Sequence, residues 1–173
     1  KLNLCYLGAP PIQLEASLLR RVAAEPDIDL TVFFGTDFSA RPFVAADFGQ
    51  TIQWDVPLLE GYKHDVLPAI GPREEKDLGF WKPLNHGLAA RLEAGRFDAL
   101  WIHGYARWLH WSAMAPARRR GIKILLRDEA TPISAPRGAL KRAAKRLFFA
   151  GLDRAVDAYL AIGTLNRRYY LEQ

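Results

Sequence analysis

The side chains best suited to chemistry lie where short apolar segments end. His103 follows the apolar run 97–102, and Arg127 and Glu129 follow the apolar run 122–126. A histidine can exchange a proton near neutral pH, orient a hydroxyl group or stabilise developing charge. Arginine grips a carboxylate or a phosphate with two parallel hydrogen bonds, and a glutamate can accept hydrogen bonds from hydroxyl groups. These residue types together indicate recognition of a polar, partly anionic substrate.

The same residues also have structural interpretations. His103 could be a core histidine bonded to a backbone carbonyl, and segment 127–129 could form an ion pair across the strand ends. Position at the end of a strand favours the functional interpretation of the histidine, because binding and catalytic residues concentrate where strands give way to loops.

A second candidate group lies in segment 54–62, which mixes aromatic residues and carboxylates around a turn. Aromatic faces combined with a few polar groups are typical of ligand sites. The candidates for binding acceptor hydroxyls here are Asp55, Glu60 and Tyr62, and Tyr105 joins them just beyond the histidine. An ordinary surface loop anchored by its two leucines explains segment 54–62 equally well.

Gly8 ends the first apolar run and precedes Ala9-Pro10-Pro11. Backbone N–H groups at a helix start can hold a phosphate, but each proline lacks that donor. The turn also lacks a dinucleotide-binding G-x-G-x-x-G pattern. It is either a tight turn that needs one glycine or a looser turn that contacts a ligand.

Strands and helices alternate regularly along the chain and would position these residues. The alternation predicts a doubly wound, mostly parallel Rossmann-like α/β sheet with helices on both faces. The strand candidates are 2–8, 29–34, 51–54, 97–102, 122–126 and 158–163. The helix candidates are a segment containing Leu14, Leu18 and Leu19, then 84–92, 108–119, 140–152 and a last helix capped by Thr164. Segment 55–79 is predicted to be a long, irregular connection.

Ligands of such sheets bind beyond the carboxyl ends of the strands. We therefore expect one edge of the sheet to collect Gly8, Asp55, His103, Tyr105, Arg127 and Glu129.

The 173 residues include 24 Lys and Arg against 19 Asp and Glu, for a net charge of +5, which favours anionic partners. The basic amphipathic segment 137–152 is typical either of peripheral contact with an anionic membrane or of a core helix with a solvated face.

Motifs for zinc binding, serine hydrolases and nucleotide hydrolysis are missing. The single cysteine and the lack of a membrane-spanning run favour a cytoplasmic location, with contact at the inner membrane face as an alternative.

Four segments in this order and spacing, namely 54–62, 101–105, 125–129 and 161–170, resemble the N-terminal domain of family 4 retaining glycosyltransferases. The resemblance covers nearly the whole chain. It implies the GT-B architecture, in which two Rossmann-like domains face each other across a cleft. Residues 1–173 would be a single acceptor-side domain. The donor-binding domain would lie outside this chain, which would be inactive alone.

The resemblance also implies hexosyl transfer from a nucleotide sugar to a glycan or lipid-linked acceptor, as in polysaccharide biosynthesis. It implies no metal, no other cofactor and no nucleic-acid partner. His103 would be catalytic, near the reacting sugar, and Gly8 would approach the donor phosphates, although this chain has Ala9 where the family often has a second glycine. The alternative is a non-catalytic Rossmann module that binds an anionic or glycan partner.

Overall fold

A computed structural model of the chain describes residues 1–45, 49–130 and 147–172. Its strands are β1 (Leu2–Gly8), β2 (Ile28–Phe34), β3 (Phe43–Ala45), β4 (Gln50–Ile52), β5 (Lys63–Val66), β6 (Ala69–Ile70), β7 (Leu84–Asn85), β8 (Ala99–His103), β9 (Lys123–Arg127) and β10 (Ala158–Tyr159). Its helices are α1 (Gln13–Ala23), α2 (Leu88–Gly95), α3 (Trp108–Arg119) and α4 (Thr164–Leu171), together with the helical residues 147–152.

Six strands form one parallel sheet in the order β10-β9-β8-β1-β2-β5. All five neighbouring pairs are parallel, so the carboxyl ends of the strands share one edge. In the register of the central strands Tyr6 pairs with Trp101, and His103 pairs with Arg127. The predicted Rossmann-like α/β class with helices on both faces is confirmed.

The two faces of the sheet bury alternate residues of each strand, as strand geometry requires. On one face, Cys5, Leu7, Leu100 and Ile102 pack in a cluster with residues of α2 and α3 and with Phe149 and Leu152. On the other face, Leu4, Tyr6, Val32 and Trp101 pack with Leu18 and Leu19 of α1. Full burial of each large apolar side chain stabilises the fold by about 1.5–3 kcal/mol.

Helix α1 is rotated relative to the simple apolar stripe that the sequence indicates. Leu14 is 78% exposed, whereas Glu15 and Leu19 are buried. Pro11 ends the preceding turn, and the helix begins two residues later, at Gln13. The rotation turns a carboxylate of the first helical turn towards the sheet.

The predicted strand 51–54 is wrong as a member of the main sheet. Residues Gln50–Ile52 pair antiparallel with β3 in a separate two-stranded sheet. The strand that follows β2 in the main sheet is β5, within the predicted connection 55–79. Three of its four residues are exposed, so an edge strand of this kind gives no apolar run to detect.

Other boundaries also differ from the predictions. Helix α2 begins at Leu88, after Leu84 and Asn85 have paired with β6. Only Ala158 and Tyr159 of the last strand candidate join the sheet. The N-cap of α4 is Gly163 rather than Thr164, and no side chain caps this helix.

Most of the basic segment 137–152 lies outside the described residues. In its helical part, 147–152, Phe149 and Leu152 are buried, whereas Leu147 is 78% exposed. Leu147 therefore does not lie on the side of this helix that packs against the core. None of the helices in the described ranges has the length and hydropathy needed to cross a membrane.

A polar network fixes α4 against the end of β9. The carboxylate of the buried Asp128 accepts a hydrogen bond from the Tyr170 hydroxyl at 2.8 Å and another from the backbone N–H of Ala130 at 3.1 Å. The side chain of Asn166 donates to the Ala130 carbonyl at 2.7 Å and accepts from the Ile162 N–H at 3.1 Å. Asp128 therefore has a structural role in holding this helix.

We expect Asn166→Ala to lower the free energy of unfolding by about 1–3 kcal/mol, because the buried partners of the amide lose their hydrogen bonds. Urea denaturation followed by circular dichroism measures this loss. Arg167→Ala, at the exposed neighbouring position, is the matched control and should change stability by less than about 0.5 kcal/mol. Equal effects of the two substitutions would contradict the anchoring role.

Candidate active site

A cluster of three polar side chains lies at the carboxyl end of the central strands. The Tyr6 hydroxyl of β1 donates to Glu15 Oε2 of α1 at 2.7 Å. Nδ1 of His103, the last residue of β8, lies 2.8 Å from Glu15 Oε1, although not in the alignment of a hydrogen bond. The Tyr6 and His103 rings meet edge to face, with centroids 6.2 Å apart. One carboxylate therefore contacts side chains from two neighbouring strands.

This arrangement leaves the far side of the imidazole for a ligand. Glu15 faces Nδ1 of His103, and no described residue bonds to Nε2. A carboxylate beside one ring nitrogen fixes the orientation of the ring. The arrangement can therefore orient a substrate hydroxyl or stabilise negative charge that develops near Nε2.

Tyr6 serves as a permanent hydrogen-bond donor to the carboxylate. Burial raises the pKa of Tyr6 well above its usual value, and the negative charge of Glu15 raises it further, while Arg127 acts in the opposite direction. The hydroxyl consequently stays protonated through the neutral range. The pKa shift also indicates that the positive charge of Arg127 acts on this cluster.

Arg127 ends β9 beside His103 and stacks against Trp101 of β8. The Arg127 Cζ atom is 5.8 Å from the centre of the Trp101 ring, a distance at which cation–π attraction operates. Both Arg127 Nε and Trp101 Nε1 are buried without a hydrogen-bond partner. These two donors extend the site from the histidine towards β9.

A second histidine lies behind the turn that follows β8. His110 of α3 is buried, and neither of its ring nitrogens has a partner. Burial lowers the pKa of His110 to about 3, and the positive charges of Arg107 and His103 lower it further. Gly104 has a φ of +89°, and a Cβ atom there would be 3.4 Å from the His110 ring. His110 is therefore a neutral imidazole that packs against a left-handed turn.

Gly8 has a packing role in this structure. A Cβ atom on Gly8 would lie 2.8 Å from Cε1 and 3.0 Å from the hydroxyl oxygen of Tyr6, so the glycine makes room for the ring that reaches Glu15. The residue is buried, and its carbonyl accepts the Gly35 N–H at 2.9 Å. The first turn thus supports the polar cluster directly.

None of the candidates in segment 54–62 directly follows a strand of the main sheet. Asp55 and Glu60 are exposed, and Asp55 follows β4, outside that sheet. Tyr62 comes just before β5, at the amino end of that strand, and its hydroxyl donates to the Leu58 carbonyl. Burial raises the pKa of Tyr62 to about 12. The expectation that Asp55 follows a strand of the main sheet is wrong, because β4 pairs with β3 in a separate sheet.

The remaining candidates lie at the carboxyl edge of the sheet with different surroundings. Tyr105 is half-buried, and its hydroxyl oxygen is 3.2 Å from that of Tyr169. Its backbone carbonyl accepts a hydrogen bond from Trp111 Nε1 at 2.8 Å. Glu129 is exposed. The structure thus brings together His103 and Arg127, and it places Tyr105 and Glu129 on the flanking turns.

Sequence reasoning missed the partners Tyr6, Glu15, Trp101 and His110. Glu15 gave a usable signal, since it lies three and four residues before Leu18 and Leu19, on the side of the helix that faces the sheet. Tyr6 and Trp101 lie inside apolar strands, where an aromatic residue is ordinary core. Among the described residues, no group of three or more His, Cys, Asp or Glu side chains could hold a metal ion.

A double-mutant cycle should reveal the coupling between Tyr6 and Glu15. Tyr6→Phe leaves a buried carboxylate oxygen without its donor, so we expect a loss of about 1–3 kcal/mol in unfolding free energy. In the Glu15→Gln background the same substitution should cost at least about 0.5 kcal/mol less, as expected for groups in contact. Urea denaturation of the four proteins measures the difference, and strict additivity would contradict the interaction.

His110 should make the fold sensitive to acid. The unfolded chain takes up a proton near the ordinary pKa of 6.5, whereas the folded chain does so only near pH 3. The contribution of the buried neutral ring is thus fully present above pH 6.5. Below pH 6.5 this contribution to the unfolding free energy decreases, by up to about 1.4 kcal/mol per pH unit.

Unfolding free energies of His110→Leu between pH 7 and pH 4 should therefore fall less steeply than those of the wild type. His86→Leu, at an exposed position, is the control and should keep the wild-type slope. Parallel pH profiles for the wild type and His110→Leu would show that His110 is not buried in its neutral form.

Comparison of the chain with protein-family models, with curated proteins and with solved structures found no match.

Proposed function

We propose that this chain forms the acceptor-side half of a glycosyltransferase, which moves a sugar from a nucleotide-sugar donor to an acceptor hydroxyl. The observation that carries the proposal is the position of His103. It lies at the carboxyl edge of a parallel sheet, oriented by a buried carboxylate and with its Nε2 unbonded to any described residue. Ligands of this class of sheet bind at this edge.

In the proposed reaction, the nucleoside diphosphate leaves the anomeric carbon with its bonding electrons. The acceptor hydroxyl oxygen attacks that carbon, and its proton passes to the leaving diphosphate. His103 would hydrogen-bond a hydroxyl of the reacting sugar through Nε2, while the Glu15 carboxylate keeps the ring in place. Arg127 supplies positive charge on the same face of the sheet. Such pre-oriented donors and charges stabilise a transition state without reorganising when the reaction occurs.

The proposal includes a second Rossmann-like domain that would carry most of the donor site, without a metal or another cofactor. Closure of two such domains would exclude water from the reacting sugar. The acceptor would be a glycan or a lipid-linked glycan of polysaccharide biosynthesis, and the protein would act in the cytoplasm or at the inner membrane face.

The second candidate function is a non-catalytic Rossmann module that binds an anionic or glycan partner. The first turn favours it, because Gly8 is buried against Tyr6 and is followed by two prolines that lack N–H donors. That turn offers little to the phosphates of a nucleotide sugar. Activity measurements separate this candidate from the transferase.

The test is sugar transfer by the full product of the gene, assayed with UDP- and GDP-linked hexoses. We expect His103→Gln to reduce kcat by about 100-fold or more, the usual range for a positioned acid–base or charge-stabilising group, with an unchanged circular dichroism spectrum. His64→Gln, exposed on β5, is the control and should transfer at the wild-type rate. Full activity of His103→Gln would overturn the role of His103. Absence of transfer with every donor, together with retained glycan binding, would favour the binding module.

A further inference from the structure

The face of the sheet that carries α1 contains a cavity beside the candidate site. It has a volume of about 370 Å³ and is lined by Leu18 of α1, Trp101 of β8, Arg127 of β9 and residues 160–162. Since Arg127 pairs in register with His103, the cavity adjoins the end of β8 where the reacting sugar would bind.

Two of the residues that line this cavity carry hydrogen-bond donors that have no acceptor among the described residues. Trp101 is 6% exposed, and its Nε1 is buried without a partner, as is Arg127 Nε. Leaving a buried donor unpaired is unfavourable, and native structures keep few such groups. An acceptor that is not part of the described chain would satisfy both donors.

The charge in this region favours an anionic acceptor. Within the described residues, no carboxylate forms an ion pair with Arg127, whereas both oxygens of Glu15, on the same face, are occupied by Tyr6 and His103. Arginine and the indole N–H together are suited to an oxyanion, because both groups only donate.

The remaining walls of the cavity are apolar and partly open. Leu18 and Leu160 are half-buried, and Ile162 is 46% exposed at the mouth. These walls can contact the carbon skeleton of a small ligand while the donors hold its charged group. Pockets with mostly apolar walls and a few convergent polar groups are typical small-molecule sites.

We propose that the Arg127–Trp101 cavity binds the acidic group of an anionic sugar, either the carboxylate of a sugar acid or the phosphate of a phosphorylated sugar. The identification of this sugar as the acceptor rests on the proposed function, whereas the oxyanion site itself rests on the two unpaired donors. Arg127 and Trp101 are then specificity-determining residues, since an uncharged sugar leaves both donors unpaired.

The test uses the indole N–H signals of the ¹⁵N-labelled chain, with Trp101 assigned through Trp101→Phe. Glucuronate, glucose 6-phosphate and uncharged glucose are titrated at constant pH and ionic strength. We expect the Trp101 signal to shift saturably with at least one of the two acids and to stay in place with glucose. A response to glucuronate only identifies a carboxylate site, and a response to glucose 6-phosphate only identifies a phosphate site.

Substitutions of Arg127 separate specific binding from general attraction to a basic protein. Arg127→Gln should weaken binding at least 10-fold, and Arg127→Lys should bind with intermediate affinity because it keeps the charge but loses the planar geometry. Arg21→Gln, an exposed arginine on α1, should bind like the wild type. A spectrum that is otherwise unchanged shows that Arg127→Gln is folded.

Two results would overturn the proposal: no shift of the Trp101 signal with either acid, or an equal shift in the wild type and Arg127→Gln. Failure of the proposed function is distinguishable from these results. In that case the Trp101 signal still responds to an acid in the manner described, but the full gene product transfers no sugar.

Discussion

The carboxylate of Glu15 is buried at the point where α1, β1 and β8 meet, and a charge in that position needs partners. Tyr6 supplies a hydroxyl donor from one strand, and His103 supplies an imidazole from the next. Glu15 also lies in the first turn of its helix, where the helix dipole favours negative charge. The rotation of α1, the glycine before it and the orientation of the histidine all follow from accommodating this one group.

The two faces of the sheet are covered unequally. One face packs against α2, α3, the helical residues 147–152 and Tyr169 of α4. On the other face, α1 lies over β1 and β2, while Trp101 and Arg127 line an open cavity. The covered face supplies most of the apolar stabilisation. The α1 face retains the polar side chains and an open cavity, so the main apolar packing and the polar cluster lie on opposite sides of one sheet.

The two histidines His103 and His110 have different surroundings. His103 lies beside a carboxylate, and His110 lies in an apolar environment near Arg107. Burial and the neighbouring positive charge of Arg107 favour the neutral form of His110. The environment of His103 therefore suits polar chemistry at the carboxyl edge of the sheet, and the environment of His110 suits packing against the turn that follows β8.

The sequence alone determined the α/β class, because the apolar runs of β1, β2, β8 and β9 and the helical spacing between them have strong, distinct periods. It also located His103 and Arg127 at strand ends. It could not reveal β5, an exposed edge strand whose residues are held by pairing with β2 rather than by burial. Nor could it show that the strand before Asp55 pairs outside the main sheet, or that Tyr62 comes at the amino end of β5.

Only the tertiary structure decided which side chains surround the histidine. Glu15 reaches His103 across a sequence separation of 88 residues because the parallel register of β1 and β8 aligns the start of α1 with the end of β8. Side-chain type and local spacing carry no information about that register. The apolar pattern of the sequence thus specified the sheet and its candidate edge, while strand order and the rotation of α1 determined which side chains meet there.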